Sequence, residues 1–501
     1  MSLISTRGGA TVTAAQAILA GIAPGGGLYV PRAYSPVTQL ALQQMSAQPY
    51  ARRAARVLEA LLDDYAPAEI QGAVEAAYAR FDVPEVAPVR PLNGLGGGVH
   101  VLELFHGPTL AFKDMALQLL PHLTRLAMDK LGEKRELFVL VATSGDTGKA
   151  ALEGFADVPG TRCAVFYPSE GVSEAQRLQM VTQTGANTHV IAVRGNFDDA
   201  QTGVKRIFAD SDFAVDMNAR GYMLSSANSI NFGRLAPQAA YYFSAYADLL
   251  ASGAIGPGQR VHFVVPTGNF GNILAAEYAR RMGLPVGKLL CASNSNNVLT
   301  DFMHSGVYDA RRPFHQTISP SMDILVSSNL ERLLFELCDR DEQLVARWMQ
   351  ALKEGRPYDI GAGRLRALRE VFAADWVDDE VTRDTIRQIW RDARYLMDPH
   401  TAVAARALMN HRERTGDPTP AVIVATASPF KFGREVARAL LGDAVAREPD
   451  DFACCDLLAG HCGVEVPPRI AELPSLPVRH DTCIDASGMA EALSSLFSLK
   501  V

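Results

Sequence analysis

The sequence has no apolar run approaching 18 residues, and its opening residues lack the apolar core of a signal peptide. We therefore expect neither a membrane span nor secretion, and the cytoplasm is the expected compartment. A net charge of −7 leaves no excess of positive charge for nucleic acid or for an anionic membrane surface. Neither is an expected partner, so any anionic ligand must be held by a local site.

Cysteines are few, with seven scattered over 501 residues. Such an odd, dispersed set does not predict a disulfide framework. Cys454, Cys455, His461 and Cys462 form the only cluster that suggests a metal. Adjacent cysteines do not have the spacing of a zinc knuckle, and no second ligand pair follows. We expect buried thiols there and no bound metal.

The chain has no repeat and no low-complexity tract, and it is too long for one hydrophobic core. Beyond the N-terminal part, apolar runs rich in β-branched residues alternate with amphipathic helical stretches. These runs are residues 99–104, 136–143, 162–168, 188–193, 261–267 and 421–427. Buried strands that alternate with helices predict an α/β fold with a mainly parallel, doubly wound sheet.

Two strand-to-helix turns contain glycine and present backbone N–H groups to an anion. GNFGN, at residues 268–272, suits a phosphate, because a strand precedes it and a helix begins there. TSGDTG, at residues 143–148, is richer in hydroxyls and fits a carboxylate better than a triphosphate, since its spacing is not that of a P-loop. From spacing alone, the first turn fits an ordinary strand-to-helix loop equally well.

Lys113 lies in FHGPTLAFKDMALQ, residues 105–118, where a turn passes into a helix. An amine that forms Schiff bases needs partial burial or nearby positive charge, and Phe112 could cover it with an apolar ring. A lone lysine beside Asp114 on a helix is more often a solvated surface charge. The segment alone favours that second interpretation.

Other polar residues lie at a strand end and at a helix start. Thr426 and Ser428 follow the strand 421–427, where ligands of open α/β sheets bind and where a hydroxyl could meet a heterocycle nitrogen. A polar strand end before a turn is nevertheless commoner. Asp398, His400 and Thr401 are expected to cap a helix.

Together these motifs resemble the fold-type II pyridoxal-phosphate enzymes, and among them the threonine synthases. The resemblance rests on HGPTLAFKD, TSGDTG, GNFGN and TASPFKF, and it continues in SSANSINFGRLAPQ, SMDILVSSNLERLLFE and DPHTAVA. The matches run from about residue 5 to 435 in the order of the family. The last seventy residues carry no recognised motif.

The resemblance implies a role for each matching residue. Lys113 would carry pyridoxal 5′-phosphate and act as the mobile acid and base, and Thr426 would meet the pyridine nitrogen. The cofactor phosphate would be held by Gly268, Asn269, Phe270, Gly271 and Asn272. The substrate carboxylate would be held by Ser144, Gly145, Asp146 and Thr147, and the candidates for the rest of the substrate are Asn228, Ser229, Asn231 and Arg234. Ser428 departs from the family, which often has histidine there, so the role of that neighbour is open.

The resemblance also implies a division of the chain into four parts. These are an N-terminal region, 1–95; a cofactor-binding α/β core with a smaller substrate-loop subdomain, 96–325; a mostly helical region, 326–400; and a C-terminal part that completes the cofactor domain, 401–501.

The reaction implied is the last step of threonine biosynthesis, in which O-phospho-L-homoserine and water give L-threonine and phosphate. Three alternatives stay open at this point: a phospho-lyase that converts the same substrate to 2-oxobutanoate, a serine or threonine dehydratase-like enzyme, and a non-catalytic binding protein. The sequence does not decide between a monomer and a homodimer.

Overall fold

The computed structural model describes residues 2–143, 145–170 and 172–497. Ser144, one of the predicted carboxylate-binding residues, lies outside these ranges. The strands are β1 (Leu3–Ser5), β2 (Tyr29–Pro31), β3 (Val89–Pro91), β4 (Val99–Glu103), β5 (Glu136–Ala142), β6 (Thr161–Pro168), β7 (Thr188–Arg194), β8 (Tyr222–Ser226), β9 (Val261–Pro266), β10 (Val286–Ser293), β11 (Val307–Tyr308), β12 (Tyr358–Asp359), β13 (Phe372–Trp376), β14 (Ala421–Ala425) and β15 (Cys483–Asp485).

The helices of the first half are α1 (Ala14–Ala20), α2 (Gln39–Met45), α3 (Tyr50–Glu59), α4 (Pro67–Tyr78), α5 (Asp114–Leu117), α6 (Leu120–Leu131), α7 (Asp146–Phe155), α8 (Glu174–Val181), α9 (Phe197–Ala209), α10 (Ser211–Ala219) and α11 (Phe232–Ala251). Those of the second half are α12 (Gly271–Arg281), α13 (Val298–Ser305), α14 (Leu330–Leu337), α15 (Glu342–Lys353), α16 (Gly361–Val371), α17 (Asp379–Ala393), α18 (Pro399–Thr415), α19 (Gly433–Leu441), α20 (Asp451–Cys462), α21 (Pro468–Ala471) and α22 (Met489–Phe497).

Two larger sheets organise the molecule. One has six strands in the order β13-β10-β9-β14-β4-β3, and all its pairings are parallel except that of β3 with β4. The other has five parallel strands in the order β15-β7-β6-β5-β8. The predicted mainly parallel α/β fold is confirmed. Every strand predicted from an apolar run is present, within one or two residues of its expected bounds.

The central strands owe their position to composition. β9 and β14 are buried along their whole length and consist mostly of Val, Ile, Phe and Ala, as expected for parallel strands covered on both faces. Helix α18 packs across β9, β10 and β14, and α11 packs against α12 and α3. In the part of the chain that is described, no helix combines the length and the apolar composition of a membrane crossing.

Five strands of the two larger sheets, β3, β8, β10, β13 and β15, lie where no apolar run predicted one. β13 falls in the stretch expected to be mostly helical and forms an edge of the six-stranded sheet beside β10. β15, from the last seventy residues, adds a parallel edge to the five-stranded sheet beside β7. β13 and β15 are short edge strands without a continuous apolar run, and the apolar run of the central strand β10 is interrupted by Gly287 and Lys288.

The topology gathers the predicted site residues at strand ends. β9, β14 and β4 are neighbours in the six-stranded sheet, and their carboxyl ends lead to the turn 268–272, to Thr426 and to the segment that carries Lys113. β5 and β8 are neighbours in the five-stranded sheet and lead to the turn 143–148 and to residues 228–234. Carboxyl ends of parallel strands share one edge of a sheet, which is where ligands bind in such folds.

Candidate active site

Lys113 lies immediately before α5, beside the end of β14. The Phe112 N–H donates to the Thr426 carbonyl oxygen at 2.8 Å, and Ala111 and Ala427 form an isolated bridge. These bonds attach the lysine segment to the strand end that carries Thr426. The structure therefore brings together two residues that are 313 positions apart in the sequence.

The Lys113 side chain is half-buried, and its amine faces oxygen atoms. Its Nζ lies 3.1 Å from the Ser321 hydroxyl and 3.4 Å from a carboxylate oxygen of Asp146, and its side chain is 13% exposed. Burial lowers the pKa of Lys113; the Asp146 carboxylate opposes that shift, and the charges of Lys431 and Arg234 add to it. A lysine whose amine gives up its proton more readily is suited to covalent catalysis, so the surface-lysine interpretation is wrong.

Asp114 serves the turn before the lysine. Its buried carboxylate accepts hydrogen bonds from the Thr109 N–H (2.7 Å), the Thr109 hydroxyl (2.9 Å) and the Gln118 amide (3.1 Å). Burial raises the pKa of Asp114 to about 6. Gly107 is required at this turn, because a Cβ there would come within 2.5 Å of the Asp114 Cβ. The hydrogen bonds to Asp114 thus stabilise the turn before Lys113 and fix where α5 begins.

The turn 268–272 has the geometry of an anion cradle. Phe270 adopts the left-handed conformation with φ 63°, and Gly271 and Asn272 open α12, where backbone N–H groups have no partner within the helix. The Asn272 Oδ1 accepts the hydroxyls of Tyr241 and Tyr242 at 2.6 Å each. Its buried Nδ2 has no partner among the described residues, and an acceptor such as a phosphate oxygen would satisfy it. These residues fit pyridoxal phosphate.

The segment after Pro320 supports this cradle, and its individual residues are not among those predicted from the sequence. Asn329 donates from Nδ2 to the Asn269 carbonyl oxygen at 2.9 Å, and the Ser327 hydroxyl donates to the Gly268 carbonyl oxygen at 2.8 Å. Ser321 belongs to the same segment. All three residues lie in SMDILVSSNLERLLFE, whose likeness to the family was the one sequence signal for them.

His400 connects that segment to a buried carboxylate. Its Nδ1 lies 2.7 Å from the Asp398 Oδ1, and its Nε2 accepts the Ser321 N–H at 3.1 Å. Asp398 also accepts the backbone N–H groups of His400 and Thr401, so the predicted helix cap is confirmed. Beyond capping, the pair fixes the backbone of the residue whose hydroxyl contacts the Lys113 amine.

The turn 143–148 is built around the Thr143 hydroxyl, which accepts the N–H groups of Gly145 (3.0 Å) and Gly148 (2.9 Å). The half-buried Thr147 and the buried Asp146 begin α7, so their N–H groups suit a carboxylate. The Asp146 side chain, however, is engaged with the lysine amines and would repel an anion. Of this residue, the backbone N–H alone fits the predicted role.

The segment between β8 and α11 contains side chains whose hydrogen bonds stabilise the fold and side chains that are available to a ligand. The Asn231 side chain caps α11 at the Gly233 N–H (2.8 Å) and donates to the Ile18 carbonyl oxygen (3.0 Å), so it is committed to the fold. Ser229 accepts the Asn329 amide at 3.2 Å, beside the cradle. Asn228 is half-buried. Asn231 thus differs from the other predicted substrate residues, because both ends of its amide already have protein partners.

Arg234 is the available cation of this segment. Its Nη1 donates to the Ala227 carbonyl oxygen, whereas its buried Nε has no partner among the described residues. Burial lowers the pKa of Arg234 to about 10. A buried guanidinium with an unsatisfied donor, close enough to shift the pKa of Lys113, suits an anionic group of a ligand.

Two clusters with metal-binding residue types lie away from this site. Cys454 and Cys455 are buried thiols on α20, as expected. Within the described residues, His262, His411 and Asp417 also lie close together. The Lys288 N–H donates to the His262 Nδ1 at 2.8 Å, so the ring proton is on Nε2 and is donated to Asp417 at 3.0 Å. The hydrogen bond between them therefore explains why His262 and Asp417 lie close together.

Comparison with known proteins gives matches along the whole chain. Residues 83–351 match the family model described as "Pyridoxal-phosphate dependent enzyme", residues 2–78 match "Threonine synthase N terminus" and residues 401–488 match "Threonine synthase, C-terminal". Threonine synthase of Pseudomonas aeruginosa is 42% identical over 448 residues, which cover 89% of this chain and 92% of that protein. Human threonine synthase-like 1 is 40% identical over 439 residues, which cover 85% of this chain but 58% of that longer protein.

Solved structures agree with these matches. The yeast threonine synthase has a TM-score of 0.88 at 30% identity and covers 100% of this chain, with 99% of its own length covered. The threonine synthase of Brucella melitensis, solved with bound pyridoxal phosphate, has a TM-score of 0.87 at 35% identity, with 99% and 98% coverage. This chain belongs to the threonine synthase family of pyridoxal-phosphate-dependent enzymes.

Proposed function

We propose that this protein is a threonine synthase, which converts O-phospho-L-homoserine and water to L-threonine and phosphate. The observation that carries the proposal is that three positions suited to an anion lie around Lys113. The turn 268–272 would take the cofactor phosphate, the N-terminus of α7 the substrate carboxylate, and Arg234 the substrate phosphate. A serine-type substrate of a dehydratase has no second phosphate and would leave Arg234 without an anion.

Pyridoxal phosphate, when bound, would supply an electron sink that stabilises negative charge next to the substrate amine. The protein's own contribution is to hold the substrate and to move its protons. The Lys113 amine would take a proton from Cα and then one from Cβ, so that phosphate can leave from Cγ. The Ser321 hydroxyl at 3.1 Å would orient that amine between the steps. A proton then returns to Cγ, water adds at Cβ, and a proton returns to Cα.

Thr426 would present a hydroxyl to the ring nitrogen of the cofactor. A hydroxyl leaves that nitrogen largely unprotonated, whereas a carboxylate would favour a protonated ring and a stronger electron sink. Thr426→Asp should therefore change the ratio of threonine to side products. An unchanged ratio in a folded, cofactor-bound variant would count against this role.

Product analysis tests the proposal. The purified protein with cofactor is incubated with O-phospho-L-homoserine, and threonine, 2-oxobutanoate and phosphate are quantified, with Lys113→Ala as the inactive control. Threonine in equal amount to phosphate supports the proposal, whereas 2-oxobutanoate as the main product identifies a phospho-lyase. Turnover that survives in Lys113→Ala would overturn the mechanism.

A matched pair of variants tests the phosphate position. Arg234→Lys keeps a positive charge and Arg234→Gln removes it. We expect the KM for O-phospho-L-homoserine to rise in Arg234→Gln by about tenfold or more, because a charge-assisted hydrogen bond contributes about 1.5–3 kcal/mol. Equal KM values in both variants and in the wild type would remove Arg234 from the substrate site.

A further inference from the structure

Lys431 is a second lysine at the same site and is fully buried. The proposed reaction does not use it. It follows β14 by six residues, and its side chain is 1% exposed. Three oxygen atoms surround its ammonium: the Thr109 carbonyl oxygen at 2.7 Å, an Asp146 carboxylate oxygen at 2.9 Å and the Gln179 amide oxygen at 3.2 Å. An ammonium has three N–H donors, and burying it without acceptors would be costly. The site is therefore built for this cation.

Asp146 is shared between the two lysines. Its Oδ1 contacts Lys431 and also accepts the Gln176 amide at 3.0 Å, while its Oδ2 faces the Lys113 amine at 3.4 Å. Burial alone would raise the pKa of Asp146, but the charges of Lys431 and Lys113 and the hydrogen bonds to it hold that pKa far below its ordinary value. Asp146 is thus held in its carboxylate form.

A buried carboxylate beside a lysine normally favours the ammonium form, which cannot attack an aldehyde or accept a proton. In the described part of the chain, the charged groups that face Lys113 are Asp146 from α7, Lys431 from the turn after β14 and Arg234 from α11. One anion therefore faces two cations besides Lys113 itself. Without Lys431, Asp146 would hold the Lys113 amine as an ammonium.

We propose that Lys431 is a positioning residue for Lys113: it neutralises Asp146 and occupies one of its oxygens, so that Asp146 orients the Lys113 amine without keeping it protonated. The inference rests on the proposed function, because it assigns Lys113 as the amine that reacts. Lys431 acts through Asp146 and does not contact the reacting amine. Through Thr109 it also braces the turn that places Lys113.

The test measures how fast Lys113 reacts with the cofactor, which needs no substrate. The full-length protein freed of cofactor is mixed with pyridoxal phosphate at a series of pH values. The neutral amine condenses with the aldehyde and releases one water, and borohydride then reduces the new carbon–nitrogen bond. Mass spectrometry of the Lys113 peptide gives the rate at each pH.

We expect Lys431→Met to slow labelling of Lys113 at pH 7 by about tenfold and to move the midpoint of the profile up by about one pH unit, because each unit changes the neutral fraction tenfold. Lys431→Arg, which keeps the charge, should stay closer to the wild type. The double variant Lys431→Met with Asp146→Asn should regain the wild-type rate, since no unneutralised carboxylate remains. Loss of packing alone would not be repaired in this way.

A folded Lys431→Met variant with a wild-type profile would overturn the proposal, and so would a folded double variant that regains nothing. If Lys431→Met does not fold, the Asp146→Asn variant alone tests the proposal. It should move the midpoint down, and an unchanged or higher midpoint refutes the role of Asp146. A wild-type protein whose Lys113 is never labelled refutes the proposed function instead, so the two failures are distinguishable.

Discussion

Alanine at position 268 should destabilise the protein itself, whereas alanine at position 271 should not. Both glycines belong to the turn 268–272, but their surroundings differ. A Cβ at position 268 would lie 2.5 Å from the Ser321 carbonyl oxygen and 3.4 Å from the Met322 Cα. A Cβ at position 271 would meet nothing closer than the Asn329 amide at 3.5 Å.

The expected magnitude follows from these distances. Ordinary contact begins at 3.4 Å, so Gly268→Ala is short by about 0.9 Å, and the obstacle is backbone that cannot rotate away. Overpacking of this kind costs about 1–3 kcal/mol, which is about 5- to 150-fold in an equilibrium constant. The Ser321 segment must move, and its hydroxyl would leave the Lys113 amine. Gly271→Ala adds a better helix former at the start of α12 and should leave the apoprotein at least as stable.

Thermal and denaturant unfolding of both variants, without and with pyridoxal phosphate, separates the two effects. Gly268→Ala should melt several degrees lower than the wild type already without cofactor. Any loss in Gly271→Ala should appear only in the stabilisation that the cofactor adds, because the phosphate of a bound cofactor would approach that position. Equal apoprotein stabilities for Gly268→Ala and the wild type would refute the reasoning from close approach, and so would an equal loss in the two variants.

Three further predictions concern neighbouring groups. His400→Phe removes the acceptor of the Ser321 N–H and should cost about 1–3 kcal/mol of unfolding free energy, with weaker cofactor retention, as measured by denaturant titration and dialysis. Asp114→Asn tests the pH dependence of stability. Because burial raises the pKa of Asp114 to about 6, the folded state keeps the Asp114 proton up to a higher pH than the unfolded state does. The wild type should therefore lose up to about 3 kcal/mol relative to Asp114→Asn as the pH rises from about 4 to 6, and parallel stability profiles would contradict this. Asn272→Asp keeps the acceptor for two tyrosines but turns the unpaired amide into an anionic oxygen, so cofactor affinity should fall at least about tenfold; unchanged affinity would place the phosphate elsewhere.

The sequence predicted what depends on local patterns. Strands such as β9 and β14 are continuous apolar runs, and Lys113 and the turn 268–272 follow from strand-to-helix transitions and from likeness to a family. Ser321 and Lys431 lie in segments that resemble the family, but their roles carry no local signal, because a serine in a loop and a lysine after a strand are ordinary in isolation. Their roles come from packing between segments about 200 to 320 residues apart. Asp114 shows the same limit: it has the sequence pattern of a surface ion pair and is in fact fully buried.

The order of strands in the six-stranded sheet has a consequence for biosynthesis. β14 lies between β4 and β9 but is the last of the six strands to be synthesised, after about 420 residues of the chain. Until then β4 and β9 each expose an unpaired edge, and the Lys113 segment lacks the strand end to which it bonds. A nascent or truncated chain that stops before β14 should therefore be unable to retain pyridoxal phosphate and should be a target for chaperones. Retention of pyridoxal phosphate would therefore distinguish a chain that includes β14 from one that stops before it.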